Sequence, residues 1–388
     1  VKDNERDDYT ATLILINGER VLLITTPILR SYNPEAGDKR LHSDDEDKTA
    51  WLSEATEPQA ETRAFSAQEM VRCEECLRAN PPTRTNCLYC AAPLPLTEAG
   101  TRLRQPALRR LEDWERGFNL ILLPHTRSRI TEEALTKTAG LLRLKMDELL
   151  RITEAGEPLP LARTSTHDEA ALVESRLRAL GFETLMVADE DLALETSAPK
   201  RLRALELRDD ALIAYPTGGD ETLNIEWQDI TLFVAGRLFE RRVEVEERRG
   251  RGSENEIVEA RELSADEAVL DIYAEGREGN ARIHPHSFDF SCLGQSKSLI
   301  AAANFSRLVE HLRERAVAAL YDDSYSRLRR SLGVAWPLDE HTEAGGLRHA
   351  RPGRFNTETV TTSDNARQFA RYSRLRHYLR TRHTDLLA

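Results

Sequence analysis

Two Cys-x-x-Cys pairs, Cys73/Cys76 and Cys87/Cys90, stand ten residues apart in a short stretch rich in Asn and Pro. Four thiolates at that spacing suit a tetrahedral Zn²⁺, which accepts sulfur ligands at about 2.3 Å. A redox role fits less well, because a thioredoxin-like motif uses one such pair at a strand-to-helix junction. With cysteine at all four positions no coordination site is left for water, so the expectation is one structural zinc ion and no metal catalysis. Any recognition by this stretch falls to the side chains around the metal: Glu74, Glu75, Arg78, Arg84 and Tyr89.

Other residue types capable of chemistry are scattered. His284 and His286 alternate by two, which in a strand puts them on one face, with Cys292 nearby; a metal site there lacks a fourth ligand, and ordinary strand histidines are the expectation. Gly218-Gly219 and Gly345-Gly346 read as turns, since neither opens a helix carrying Lys-Ser/Thr. No phosphate loop, Gly-x-Ser-x-Gly elbow or His-Glu-x-x-His occurs, so no catalytic residue and no small-molecule substrate is indicated, and a dispersed active site stays open as an alternative. Between Arg367 and Arg382 the residues Phe369, Tyr372, Leu375 and Leu379 share a helical period with Arg367, Arg371, Arg374, Arg376, Arg380 and Arg382 around them. That helix either docks on the protein's own body or serves as a nucleic-acid arm with aromatics available for stacking.

The cysteine stretch continues through Asn80-Pro81-Pro82 and exits by Ala91-Ala92-Pro93-Leu94. In this it resembles the short zinc ribbons of bacterial multidomain proteins. Asn80, four residues after Cys76 and seven before Cys87, also matches the Ran-binding-protein type of zinc finger. That family usually has Trp where this chain has Val71, and its ubiquitin-binding subset has Thr-Phe where this chain has Leu77-Arg78. The resemblance therefore implies a small zinc-stapled module and neither RNA stacking nor ubiquitin binding.

The elements around this module follow from composition and periodicity. The chain has 388 residues, 40% of them hydrophobic, which is room for two or three domains. Residues 1–29 contain two apolar strands joined at Asn17-Gly18, a hairpin signal. Residues 30–68, with Asp44-Asp45-Glu46-Asp47, have the composition of an acidic linker, and 69–96 form the ribbon. No apolar run approaches the ~20 residues of a membrane helix and no signal-peptide pattern opens the sequence, so a cytoplasmic location without membrane insertion is expected, as the lone leftover cysteine also suggests. Net charge is −12, but residues 346–388 hold nine Arg against three acids, +6, which leaves −18 on the rest. This segment reads as an Arg-rich tail.

Residues 115–195 give the order βααβαβ: a strand from Phe118, a helix capped by Thr131, a second helix over Lys145–Thr153 stopped by Gly156, a strand over Pro158–Arg163, a helix opened by a Thr166/Glu169 capping box, and a strand after Gly181. The order, with Leu142–Lys145 and the Gly-aromatic-strand finish, resembles the C-terminal domain of the ribosomal stalk protein, which implies an α/β sandwich. Residues 200–335 follow with short strands over Leu205–Leu207, Ala211–Tyr215, Leu223–Trp227, Ile230–Val234, Ala268–Ala274 and Ala281–Phe290, a charged excursion over Val245–Glu262, and a helix over Ser298–Tyr321. Strands ending in one helix, with the Glu226–Ile230 step, resemble bacterial pleckstrin-homology-like domains, which implies a β-barrel plugged by its C-terminal helix; the acidic turns Asp209-Asp210 and Asp220-Glu221 disfavour lipid headgroups. The fold class expected is thus multidomain α+β. The function expected is a non-enzymatic adaptor that binds other proteins, with a nucleic-acid-associated transcription or translation factor as the alternative.

Overall fold

The computed structural model describes residues 10–16, 19–25, 65–67, 69–84, 86–95, 106, 108–112, 115–124, 130–194, 198–218, 222–249, 255–276, 280–351 and 354–383. The chain divides into two compact units, 1–104 and 105–388. In the first, β1 (Thr10–Ile16) pairs antiparallel with β2 (Glu19–Thr25), Ile16 opposite Glu19. The Asn17-Gly18 turn and nearly all of the expected linker 30–68 lie outside the described residues. The cysteine module follows, with its short ladder of β3 (Val71–Arg72) and β4 (Ala79–Asn80).

The second unit is mixed α+β. Its first part runs β5 (Phe118–Leu122), α1 (Glu132–Leu142), α2 (Met146–Glu154), β6 (Leu159–Thr164), α3 (His167–Ala179) and β7 (Thr184–Ala188), with β5 central in a three-stranded antiparallel sheet. The local signals act as the sequence suggests. Thr131 Oγ1 accepts from the Ala134 N–H at the start of α1, and Gly156 and Gly181 take the positive φ that ends α2 and follows α3. The capping box of α3 forms only by half. Thr166 Oγ1 accepts from the Glu169 N–H, but the Glu169 carboxylate turns away to accept from the Leu108 N–H at 2.8 Å.

The rest is a nine-stranded sheet curled into a half-barrel. In chain order its strands are β8 (Lys200–Leu207), β9 (Ala211–Pro216), β10 (Leu223–Glu226), β11 (Ile230–Arg249), β12 (Asn255–Ala274), β13 (Ala281–Ile283), β14 (Leu320–Asp322), β15 (Asp339–Arg351) and β16 (Arg354–Asp364). The spatial order is β10-β9-β8-β13-β12-β11-β16-β15, with β14 beside β11. Among the described residues no ladder closes β10 onto β15, so the expected barrel is open. The described residues of the expected charged excursion over Val245–Glu262, 245–249 and 255–262, belong instead to β11 and β12, which pair over about twenty residues each. Ion pairs such as Arg241–Glu262 and Arg237–Asp266 line the exposed half of this ladder, where both faces meet solvent and no hydrophobic alternation marks a strand.

Nearer the body the alternation is clear. Leu232 and Val234 of β11 and Val269 and Tyr273 of β12 face one core, while Phe233, Leu270 and Ile272 face the other. The second core is closed by α4 (Ala301–Arg315) through Phe305, Leu308, Val309 and Leu312. The helix expected over Ser298–Tyr321 is shorter at both ends: Leu299 is fully exposed, and after Ala316 leaves helical geometry the chain enters β14. The first core is shared between β5–β7, α5 (Tyr325–Leu332), Trp336 and α6 (Ala366–Arg382). Trp336 is fully buried and donates from Nε1 to Asn119 Oδ1 at 2.8 Å, fixing the βααβαβ part to the rest. α6 lies so close to β11 that a Cβ on Gly236 would overlap the Phe369 ring.

The segment 346–388, expected as a tail, is therefore not an appendage over its described residues: it supplies the second half of β15, all of β16 and a core helix. Arg376 pairs with Asp322 at 2.5 Å and with Glu157 at 2.9 Å, and Tyr372 donates to Asp322. Ser373 donates to Asp271 Oδ2 at 2.6 Å, and Asp271 also accepts both arms of Arg282 at 2.6 and 2.8 Å. The buried charges of Asp271, Arg282, Asp322 and Arg376 are tolerated because each of these four is paired and hydrogen-bonded.

Candidate metal centre

The cysteine module is built from two similar knuckles. In the first, the Leu77 N–H donates to Cys73 O and the Cys73 N–H to Arg78 O, each at 3.0 Å; in the second, the Ala91 N–H donates to Cys87 O at 3.0 Å and the Cys87 N–H to Ala92 O at 2.7 Å. The residue after each second cysteine, Leu77 and Ala91, has φ of 58° and 61°. A left-handed residue at that point reverses the chain and turns both sulfurs of a knuckle inward, at a cost of about 1–2 kcal/mol for a residue with a Cβ.

The knuckles face each other. Cys73 Sγ lies 3.6 Å from Cys90 Sγ, Cys76 Sγ lies 3.5 Å from Cys87 Sγ, and all four sulfurs fall within 4.8 Å of one another. These separations are too long for disulfides, and all four cysteines are free. The edge of a tetrahedron with ~2.3 Å metal–sulfur bonds is about 3.8 Å. The four thiols therefore already enclose a volume suited to a metal ion.

Asn80 braces this arrangement from between the knuckles. It is fully buried, its Nδ2 donates to Arg78 O at 2.9 Å and to Cys87 Sγ at 3.4 Å, and its Oδ1 accepts from the Leu88 N–H at 2.8 Å. The Tyr89 N–H also donates to Cys87 Sγ at 3.4 Å. Desolvation opposes ionisation of Cys87, yet the backbone N–H groups of Tyr89 and Cys90, with Cys76 and Asn80, outweigh it and bring the thiol down to about 6. Cys90 goes the other way, to about 12: the Ala92 N–H favours its thiolate, but desolvation and the three neighbouring thiols together prevail. Four sulfurs this close cannot all ionise without a cation among them.

The apolar interior of the module is slight: Val71 and Leu94, with Cys73 and Cys87, packed by Cys76 and Ala92. A unit of fewer than ~40 residues with so small a core ordinarily needs a metal or disulfides to fold. A structural metal supplies on the order of 10–16 kcal/mol, far more than two buried aliphatic side chains at about 1.5–3 kcal/mol each. The four sulfurs could hold a metal ion, and a module with so slight a core ordinarily needs one.

The remaining candidates are placed as follows. His284 and His286 do not share a strand, because β13 ends at Ile283 and a short 3₁₀ turn begins at Pro285. Both rings instead contact one carboxylate, Glu267, at 3.3 and 3.0 Å. Cys292 is half-buried, and burial raises its thiol to about 11. Of the six arginines expected to be available to nucleic acid, Arg371, Arg374 and Arg376 are buried in the core. Arg367 lies 3.8 Å from Asp339, and Arg382 stacks on Tyr378. The aromatic stripe between them is consumed by packing, since Phe369 and Tyr372 are fully buried. Glu74, Glu75, Arg78, Arg84 and Tyr89 are all exposed around the cysteines. Among the described residues no helix is long and apolar enough to cross a membrane. Comparison with protein-family models, with curated proteins and with solved structures gives no match.

Proposed function

We propose that this chain is a protein-binding adaptor whose cysteine module is a zinc-stapled docking surface. The observation that carries the reading is the inside-out character of that module. Its interior is spent on sulfur, while Leu77, Leu88 and Tyr89 are 66%, 53% and 56% exposed. The Arg78 guanidinium lies 4.7 Å above the Tyr89 ring and bridges the two knuckles across this surface. Aromatic and arginine side chains with aliphatic neighbours are the composition of binding hot spots. Zinc is the metal assigned, because four thiolates in tetrahedral array suit it and leave no open position. The ribbon resemblance agrees with this assignment. The half-barrel closed by α4 is read as a pleckstrin-homology-like module and the βααβαβ part as a stalk-protein-like one, both fold shapes used for contacting proteins in bacterial cytoplasm.

The test is affinity purification with the full chain against the triple variant L77S/L88S/Y89S, whose metal content is measured in parallel. A protein captured by the wild type and lost by the metal-loaded variant supports the reading. Equal capture by both, or no captured protein, overturns it.

A further inference from the structure

In the second unit a cavity of about 340 Å³ opens where the βααβαβ part meets the C-terminal elements. That size is at the small end of ligand pockets, about 300–1,000 Å³. Its walls come from the segment before β5, the turn between α1 and α2, strand β6, the residues after α5, and α6. Five arginines line it, Arg109, Arg110, Arg143, Arg163 and Arg371, and every other lining residue is apolar or glycine. Leu108, Leu111, Leu142, Leu144, Leu161 and Val334 form the greasy part. No acidic, amide or hydroxyl side chain among the described residues lines it.

The charges in this cavity do not balance. Arg109 is paired with Glu115, and Arg163 with Asp189. Asp189 is further engaged by the Gly117 N–H and by Asn119 Nδ2. That leaves Arg110, Arg143 and Arg371, three of the five, with no ion pair among the described residues. Arg110 and Arg143 are exposed, so water solvates them. Arg371 is different: it is only 6% exposed, and its Nε is buried without a hydrogen-bond partner. Burial, then Arg163 and Arg367 beside it, pull its guanidinium down to about 10, with Asp189 and Asp339 opposing only at range. A buried guanidinium among other cations is a costly feature of a folded chain, and one that an anion would relieve.

We propose that this cavity binds a small amphipathic anion, its carboxylate or phosphate held by Arg371 with Arg143 and Arg110 at the mouth, and its hydrocarbon body laid against Leu108, Leu142, Leu144 and Leu161. Guanidinium groups bind both headgroups through paired, charge-assisted hydrogen bonds. The apolar wall offers nothing to a second polar group, so a polyol or a nucleotide is disfavoured. Because five separate chain segments meet at the cavity, an occupant would also brace the junction between the two parts of the unit.

The test is calorimetric titration of the full chain with octanoate, octyl phosphate and octanol, each below its micelle-forming concentration. The expected result is saturable binding of one anion per chain with octanol at least tenfold weaker, the tighter of the two anions identifying the headgroup. In R371M the anion should bind no better than octanol. R143E, an exposed change that leaves the core intact, should weaken the anion at least threefold and keeps the test decisive should R371M not fold. Absence of saturable anion binding, octanol as tight as the anions, or anion affinity in R143E equal to wild type would overturn the proposal.

Discussion

Asn80→Ala probes how the cysteine module is held together. The change removes three hydrogen bonds, to Arg78 O, to Cys87 Sγ and from the Leu88 N–H. At about 0.5–1.5 kcal/mol each the ceiling is about 4.5 kcal/mol. The actual loss should be smaller. Arg78 O keeps the Cys73 N–H as a donor, and Leu88 is exposed, so water reaches its vicinity. About 2 kcal/mol remains, mostly from the brace on Cys87 and from linking the two knuckles. Because folding of so small a module and binding of its metal are one equilibrium, that loss appears directly in metal affinity as roughly thirtyfold, at 1.4 kcal/mol per factor of ten. Mutations of groups that orient metal ligands usually cost about 10–100-fold, which brackets the figure. Competition for zinc against a chromophoric chelator at pH 7 measures it. Asn80→Asp serves as a companion: it keeps the acceptor for Leu88 but sets a carboxylate beside thiolates, and should be no better than alanine. An affinity for Asn80→Ala within threefold of wild type would mean that Asn80 is no brace and that the knuckles are held by the metal alone.

Three further outcomes are expected in the second unit. His377 stacks on Tyr273 at 4.3 Å, and burial, with Arg374 second, lowers it from 6.5 to about 4. It is therefore neutral when folded and takes up a proton on unfolding below pH 6.5, so its presence makes stability fall with pH between 6.5 and 4, by roughly 1–3 kcal/mol in all; His377→Phe keeps the stack and should flatten that limb in urea denaturation at pH 7 and 5, whereas parallel losses in both proteins would contradict the assignment. Gly236→Ala drives a methyl into the Phe369 and Tyr325 rings and should cost about 1–3 kcal/mol, read as a fall of several degrees in thermal unfolding; an unchanged midpoint would mean α6 does not sit on β11 as described. Asp271→Asn strands the buried Arg282 charge and should cost about 3–5 kcal/mol, with D271N/R282M recovering part of it; a double variant no more stable than D271N would argue against a direct pair.

What could be read ahead of the structure depended on how local its cause was. The cysteine spacing, the Thr131 and Thr166 caps and the Gly156 and Gly181 stops act within a few residues, and the order βααβαβ followed from them. The long ladder of β11 and β12 was hidden because its exposed half alternates charges on two wet faces, and charge without hydrophobic period reads as a loop. Leu299 fell on the helical period of α4 by coincidence, and the actual start is set by Asn304, whose side chain bonds both the N–H and the C=O of Ser298. Arg376 of α6 looked available for a partner because its acids, Asp322 and Glu157, are far away in sequence, and the burial of Arg371 and Arg374 is likewise set by distant elements. The arginine-lined cavity was equally hidden, since each of its cations alone reads as an ordinary surface residue.

We propose that Cys73, Cys76, Cys87 and Cys90, which could hold a metal ion, bind one that supplies most of the folding energy of residues 69–96. Elemental analysis of protein purified without added metal, beside Cys76→Ser, tests it most directly. One zinc per chain, lost in the variant together with protease resistance of the module, is the predicted result. A metal-free wild-type chain whose module resists protease as well as the metal-loaded one would contradict it.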